Sequence, residues 1–348
     1  MPALPNSHQA LLKNIERLSG RVALLGLIDP GLSDRLSSDF LVMTEHAGVH
    51  ARLTAGGSRC IIFGYEDPGI TASSSDTVVV FLPKSRSELT LRLSLALMLI
   101  KEGGQIILVG EKKEGIAGAV RQLRQRLPQC RKVDSVRHCQ IWQADGVSPS
   151  PDFRLGNWLQ WHSIESNGIT LDVAGLPGIF SDGELDAGTA MLLDTLAVTP
   201  LAPGNTLDFA CGAGVIGAWW QSFQARRQGK GYPVDGVDVQ FQALACARAT
   251  YERAGAEGNI IASDGLAAVE GQYQTVITNP PFHTGVRTDT SVTEQFLQGV
   301  SRHLVKGGEC RLVANRFLPY EALIRRHIGP TRVLAEDARF VVWSALKA

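Results

Sequence analysis

The chain has 348 residues, enough for about two domains of ordinary size. Apolar residues make up 44% of it and charged residues 20%, which excludes disordered, collagen-like and coiled-coil architectures. Lysine plus arginine equals aspartate plus glutamate at 34 each, so no global charge draws the chain to nucleic acid or membrane. The halves differ, however. Residues 1–150 carry 18 basic and 14 acidic side chains, and residues 151–348 carry 16 and 20.

The N-terminal MPALPNSHQALLKNIERL lacks a basic segment followed by a long apolar core, so it does not read as a signal peptide. The stretch LSLALMLI at 93–100 is far short of a membrane span. Cys60, Cys130, Cys139, Cys211, Cys246 and Cys310 form no C-x-x-C pair and no zinc spacing. Free thiols, no metal and a soluble, cytoplasmic protein are expected.

In chain order, RVALLGLIDPG (21–31) predicts a first strand with no glycine-spaced loop behind it. DTVVVFLP (76–83) is a β-branched run that stops at a proline-bearing turn. A helix is predicted over roughly 86–101, then a glycine turn and a buried strand in LIKEGGQIILVG (99–110). Another apolar strand is predicted near 136–143, followed by the Pro-, Ser- and Gly-rich ADGVSPSPDFRLGN (144–157). The pattern then returns. QTVITNPP (274–281) echoes DTVVVFLP, a helix is predicted over 290–305, LVKGGECRLVAN (304–315) echoes the glycine turn and strand, and an apolar run follows at 339–346. Strands alternating with helices predict parallel βαβ units. The expected fold is α/β, with two tandem Rossmann-like domains, each a doubly wound, mostly parallel sheet: 1–150, degenerate, and 151–348.

The copies differ where chemistry would sit. TLDFACGAGVIGA (206–218) is a strand, a tight glycine turn and a helix entry, with Gly212, Gly214 and Gly217 in G-x-G-x-x-G spacing. Such a turn lets a ligand approach the backbone and the helix N-terminus. Asp238, at the end of the next strand in VDGVDVQ, would bind the ribose of an adenosine cofactor. NAD and S-adenosylmethionine both fit that far. Asp208, in D-x-x-C-G-x-G, disfavours a pyrophosphate and suits the cationic methionine end of S-adenosylmethionine. Asp264, in SDG, could accept from the adenine amine or simply cap a turn. Cys211 is a small residue suited to the turn, with no neighbouring His or Lys to make it a nucleophile.

Asn279-Pro280-Pro281-Phe282 follows the strand TVIT. The order DFACGAG, acidic second strand, SDG, NPPF resembles Class I S-adenosylmethionine-dependent methyltransferases that modify exocyclic amines. The resemblance implies that the Asn279 side-chain oxygen and the Pro280 carbonyl accept the two N–H bonds of a delocalised, poorly nucleophilic amine. The prolines fix the carbonyl's direction. Phe282 would stack on the base.

FLPK (81–84), VDSVRHC (133–139), LPGIFSDGELDAGTAMLL (176–193), NPPFHTG (279–285), HLVKGGE (303–309) and VANRFLPY (313–320) carry a closer resemblance. Along nearly the whole chain it is similar to the small-subunit ribosomal RNA guanine-N2 methyltransferase C family. That family has a degenerate first domain and a catalytic second one. The resemblance implies an enzyme that methylates the N2 amine of one guanine in 16S rRNA within the 30S subunit, working as a monomer with S-adenosylmethionine and no metal or membrane. It also implies that Phe180, Asp186 and Gly188 cover the cofactor, although Asp186 equally suits a helix cap. One departure is Ala210, where the family usually carries glycine. Its methyl group is expected to crowd the cofactor without abolishing binding.

For RNA, residues 112–137 are rich in Lys and Arg. Arg121 and Arg124 share a helical face, and Arg131, Lys132, Lys84 and Arg86 could extend a phosphate-tracking surface. Arg316, Arg325 and Arg326 are comparable in the second domain. The alternatives are a 23S rRNA guanine, an adenine N6 or a glutamine amide as target. A nicotinamide-dependent oxidoreductase would leave NPPF, Asp208 and Asp264 unexplained. A binding module without activity would be favoured had the second domain lost its glycines.

Overall fold

A computed structural model of the chain describes residues 3–57, 60–150, 152–179, 185–280, 290–318 and 320–348. It divides into two compact units, Met1–Trp158 and Leu159–Ala348. The first runs α1 (Asn6–Leu12), β1 (Val22–Leu25), β2 (Leu41–Thr44), α2 (Ala47–Ala55), β3 (Ile61–Phe63), β4 (Ser75–Phe81), α3 (Arg86–Leu99), β5 (Ile100–Glu111), α4 (Ile116–Arg126), β6 (Arg131–Val136) and β7 (Cys139–Val147). Its sheet order is β3-β2-β1-β4-β5-β7-β6. β1 to β5 are parallel, and β7 is antiparallel to both β5 and β6. Val78, Val79 and Val80 of β4 are all buried, as a central strand covered on both faces requires.

The second unit opens with a hairpin, β8 (Gln160–Ser166) and β9 (Ile169–Gly175). Then come α5 (Ala187–Val198), β10 (Thr206–Phe209), α6 (Val215–Gln228), β11 (Val234–Asp238), α7 (Phe241–Ala254), β12 (Ile260–Ala262), β13 (Tyr273–Thr278), α8 (Thr290–His303), β14 (Leu304–Asn315), α9 (Tyr320–His327), β15 (Thr331–Glu336) and β16 (Phe340–Leu346). The order β12-β11-β10-β13-β14-β16-β15 repeats the first sheet strand for strand. Trp219, Trp220 and Phe223 of α6 pack in one core with Ile277 and Val342. Leu297, Val300 and Ile324 fill another with Leu207 and Val276.

The registers make positions comparable. Val22 of β1 lies opposite Thr77, and Thr206 of β10 opposite Thr275. Leu24 therefore holds the place of Asp208, Gly26 that of Ala210, and Phe81 that of Asn279.

Three details depart from the sequence reading. The units divide later than 150/151, because Ser150 N–H bonds the Leu97 carbonyl at 2.8 Å, Phe153 packs on Tyr65, and Leu155 is buried. The expected glycine turns after the helices are bulged starts of twelve-residue strands, with Gly103 and Gly307 at φ +78° and +73°. The β8–β9 hairpin is additional to the expected strands. Its Asn167-Gly168 turn has both φ positive, at +52° and +72°, as a tight hairpin demands.

Candidate active site

A cavity of about 440 Å³ opens at the C-terminal ends of β10, β11 and β13. This is where open parallel sheets place ligands. Of the residues singled out in sequence, Asp186, Cys211, Gly212, Asp238, Asn279 and Pro280 line it. Asp208, Gly214, Gly188 and Asp264 do not. Phe180, Pro281 and Phe282 lie outside the described residues. Ala210, Thr189 and Phe340 also line the wall.

The glycine loop separates into distinct jobs. Gly212, at φ +53°, has open space where a Cβ would stand, so the backbone there is approachable. Gly214 precedes α6 at φ +80° and packs on α7, where a Cβ would meet Ala247 and Tyr251 at 3.1 Å. A Cβ on Gly217 would collide with the Tyr251 hydroxyl. Ala210, at φ +57°, holds a left-handed conformation that disfavours any side chain.

Asp208 does not line the cavity: its carboxyl is fully buried beneath the loop, where Oδ2 accepts from the Gly217 N–H at 3.2 Å and Oδ1 has no partner among the described residues. Burial pushes its pKa up to about 8, helped by the nearby Asp238. It organises the turn from below. Asp264 is exposed beyond β12, away from the wall, where its carbonyl accepts from the Ala267 N–H in a turn. Gly188 donates its N–H to Asp186 at 2.9 Å and packs near Phe340. The Cys211 thiol is pushed well above its ordinary pKa by burial and the adjacent Asp208, so it is no nucleophile.

Asp238 is held ready. One carboxylate oxygen accepts from Gly212 N–H at 3.0 Å and the other from Gln240 N–H at 3.0 Å. These bonds fix the carboxylate on the cavity wall.

Asn279 is held from its other side. Its Nδ2 donates to Asp186 Oδ2 at 3.1 Å and to Thr189 Oγ1 at 2.9 Å. Asp186 caps α5, accepting from Gly188 and Thr189 N–H. The Asn279 amide oxygen and the Pro280 carbonyl are then the acceptors at this end of the cavity. Sequence reasoning missed Thr189. The D-x-x-T spacing after Asp186, which puts the threonine three residues into a capped helix, was the available signal.

Lys84, Arg86, Arg121, Arg124, Arg131 and Lys132 are all exposed. Arg124 stacks over Trp142 at 5.0 Å, and Lys132 is the cross-strand partner of that tryptophan. Arg131 is paired with Asp145 at 3.0 Å. Lys84 and Arg86 stand at the end of β4, and the Arg86 carbonyl accepts from Gln122 of α4. In the second unit, Arg325 pairs with Glu321, Arg316 bonds the Asp337 carbonyl, and Arg326 is exposed. Among the described residues there is no His, Cys, Asp and Glu cluster able to hold a metal ion, and no helix long and apolar enough to cross a membrane.

Residues 170–344 match the family described as Methyltransferase small domain, and residues 8–162 match Methyltransferase small domain N-terminal. Ribosomal RNA small subunit methyltransferase C of Hahella chejuensis is 39% identical over 359 residues, covering 100% of both chains. The protein of that name from Pseudomonas aeruginosa is 41% identical over 308 residues, covering 87% of this chain and 88% of its own. Among solved structures, the T. thermophilus 16S rRNA N2 methyltransferase in complex with AdoMet and guanosine has a TM-score of 0.84 at 23% identity. That match covers 99% of this chain and 92% of the other, so the two share the whole two-domain fold.

Proposed function

The chain belongs to the ribosomal RNA small subunit methyltransferase C family, and from that premise we propose that it transfers a methyl group from S-adenosylmethionine to the N2 amine of a guanine in 16S rRNA. The observation that carries the reading is the Asn279 amide, turned so that its oxygen accepts, beside the Pro280 carbonyl in a cavity that Asp238 and Gly212 also line.

The cavity residues fit the cofactor. Asp238 presents an oriented carboxylate to the ribose hydroxyls, and the open backbone at Gly212 admits the ligand close to the turn. S-adenosylmethionine supplies an electrophilic methyl group on a sulfonium. The chain's own residues supply the positioning. The guanine amine is weakly nucleophilic because its lone pair is delocalised into the ring. Asn279 Oδ1 and the Pro280 carbonyl accept its two N–H bonds, which aims the nitrogen and raises electron density on it. The nitrogen forms the new N–C bond as the sulfur–methyl bond breaks, the electron pair staying on sulfur as a neutral thioether, and the surplus proton on nitrogen leaves to solvent. Catalysis is then mostly orientation.

The first unit is proposed to dock RNA through Lys84, Arg86, Arg121, Arg124, Arg131 and Lys132, whose exposure supports contact with phosphates. We place the reaction on the assembled 30S subunit, in the cytoplasm, with the enzyme as a monomer. Light scattering of the free protein checks that last point. The test of function is methyl transfer from labelled S-adenosylmethionine to 30S subunits, 50S subunits and free 16S rRNA, with nucleoside analysis. N2-methylguanosine on 30S alone is expected. Label on 50S, or methyladenosine, would move the target, and no label on RNA would favour a protein amide.

A further inference from the structure

We propose that Asp186 and Thr189 form a clamp that sets the orientation of the Asn279 amide, which makes Thr189 a positioning residue for methyl transfer. The proposal rests on the reading of Asn279 above.

The geometry decides which end of the amide faces the clamp. Asp186 Oδ2 receives the Thr189 hydroxyl at 2.5 Å, so the only hydrogen on that hydroxyl is already committed. A carboxylate and a hydroxyl so engaged have only lone pairs left to offer. Both point at the same Asn279 atom, at 3.1 and 2.9 Å. That atom must be the NH₂ group. The reversed amide would set its oxygen against two acceptors and leave them unpaired. Thr189 is only 7% exposed, so water cannot easily stand in for it. The clamp is rigid because Asp186 is the N-cap of α5, bound by the backbone N–H groups of Gly188 and Thr189.

The first unit supplies an internal control. The cap position of α1 is Pro5, the third helical residue is His8, and Phe81 stands at the end of β4. His8 and Phe81 pack ring to ring at 4.6 Å. Where the amide is absent, both clamp residues are absent too. A cap kept only to hold the helix would have no reason to vanish with the asparagine.

The test uses full-length protein and whichever ribosomal particle the wild type labels. Thr189→Val keeps the shape and removes the acceptor. It is expected to lower kcat about tenfold to hundredfold, a range typical of misplaced reacting groups. Affinity for S-adenosylmethionine and KM for the particle should stay within about twofold, and Thr189→Ser should restore most of the rate. Asp186→Asn, which still caps a helix, should reproduce the fall in kcat if Thr189→Val does not fold. A substrate wrongly named shows in the wild-type measurements, whereas a wrong clamp shows only in the variants. A readout independent of turnover is hydrogen exchange of the Asn279 side-chain NH₂, expected to be faster in Thr189→Val. Unchanged kcat, cofactor affinity falling in step with kcat, a serine variant as slow as valine, or unchanged exchange would overturn the proposal.

Discussion

At the ends of β10 and β13 the second unit keeps a cavity of about 440 Å³, whereas at the ends of β1 and β4 the first unit is occupied by the guanidinium of Arg92. Arg92 is the seventh residue of α3, and the seventh residue of α8 is Phe296, whose ring packs tilted against Phe209. The guanidinium donates to the Phe81 carbonyl at 2.5 Å, to Glu45 at 2.8 and 3.1 Å, and to Glu88 at 2.8 Å. Glu45 also accepts from Tyr65, which stands where the second unit has Asp264. Burial pushes Glu88 up to about 7. The loop position inverts as well. Gly26, at φ +83°, has no room for a Cβ because Arg92 lies against it, while the second unit tolerates Ala210 facing its open cavity. The same sheet can thus keep a site open or close it with a buried ion network. The network draws its partners from the ends of β2 and β4 and from α3 itself, since a buried cation needs all its partners.

The contrast can be broken at either end. The largest effect is expected from Asn279→Ala, which should cut methyl transfer by about 10²–10³-fold, the scale of losing one preorganised acceptor or donor. Cofactor affinity measured by calorimetry should stay nearly intact; a parallel loss would put Asn279 in the cofactor site instead.

Arg92→Ala strands two buried carboxylates. It should destabilise the first unit by about 3–5 kcal/mol in urea denaturation of the full chain. Gly26→Ala drives a methyl group into that guanidinium, for an expected loss of about 1–3 kcal/mol. The reverse exchange, Ala210→Gly, relieves a left-handed alanine but loosens the unfolded chain. Its net effect on melting should be within about 1 kcal/mol.

Asp208 gives a pH test, because Leu24 at the same place in the first unit cannot titrate. With a folded pKa of about 8 against an ordinary 3.8, the folded chain holds a proton in that window that the unfolded chain lacks. Stability therefore falls as pH rises from about 4 to 8, by at most about 1.4 kcal/mol per pH unit. Asp208→Asn should flatten that slope in melting curves. An unchanged slope would mean that Asp208 is already ionised in the fold.

Much of this was legible in sequence because it is periodic or punctuated. The β-branched runs that end at FLPK and NPPF, and the paired KEGG and KGG segments, predict two copies of one sheet, and both copies are there. The glycine loop, Asp238 and Asn279 carried enough local pattern to be placed together. What was not legible depends on direction and depth. Nothing local tells that Asp208 points down to Gly217 N–H while Asp238 points into the cavity, or that Gly214 and Gly217 serve packing on Tyr251. Thr189 and Asn279 are 90 positions apart, and Glu45 and Arg92 are 47 apart, so each pair exists only once the sheet is assembled. The β8–β9 hairpin has a local signal too, since Asn167-Gly168 suits a tight turn.

The contrast predicts that the second unit binds the cofactor and that the first, filled by Arg92, does not. Calorimetric titration of the full chain with S-adenosylmethionine measures this directly. One site per chain, lost in Asp238→Ala, is the predicted result. Two sites per chain, or one that survives Asp238→Ala, would contradict it.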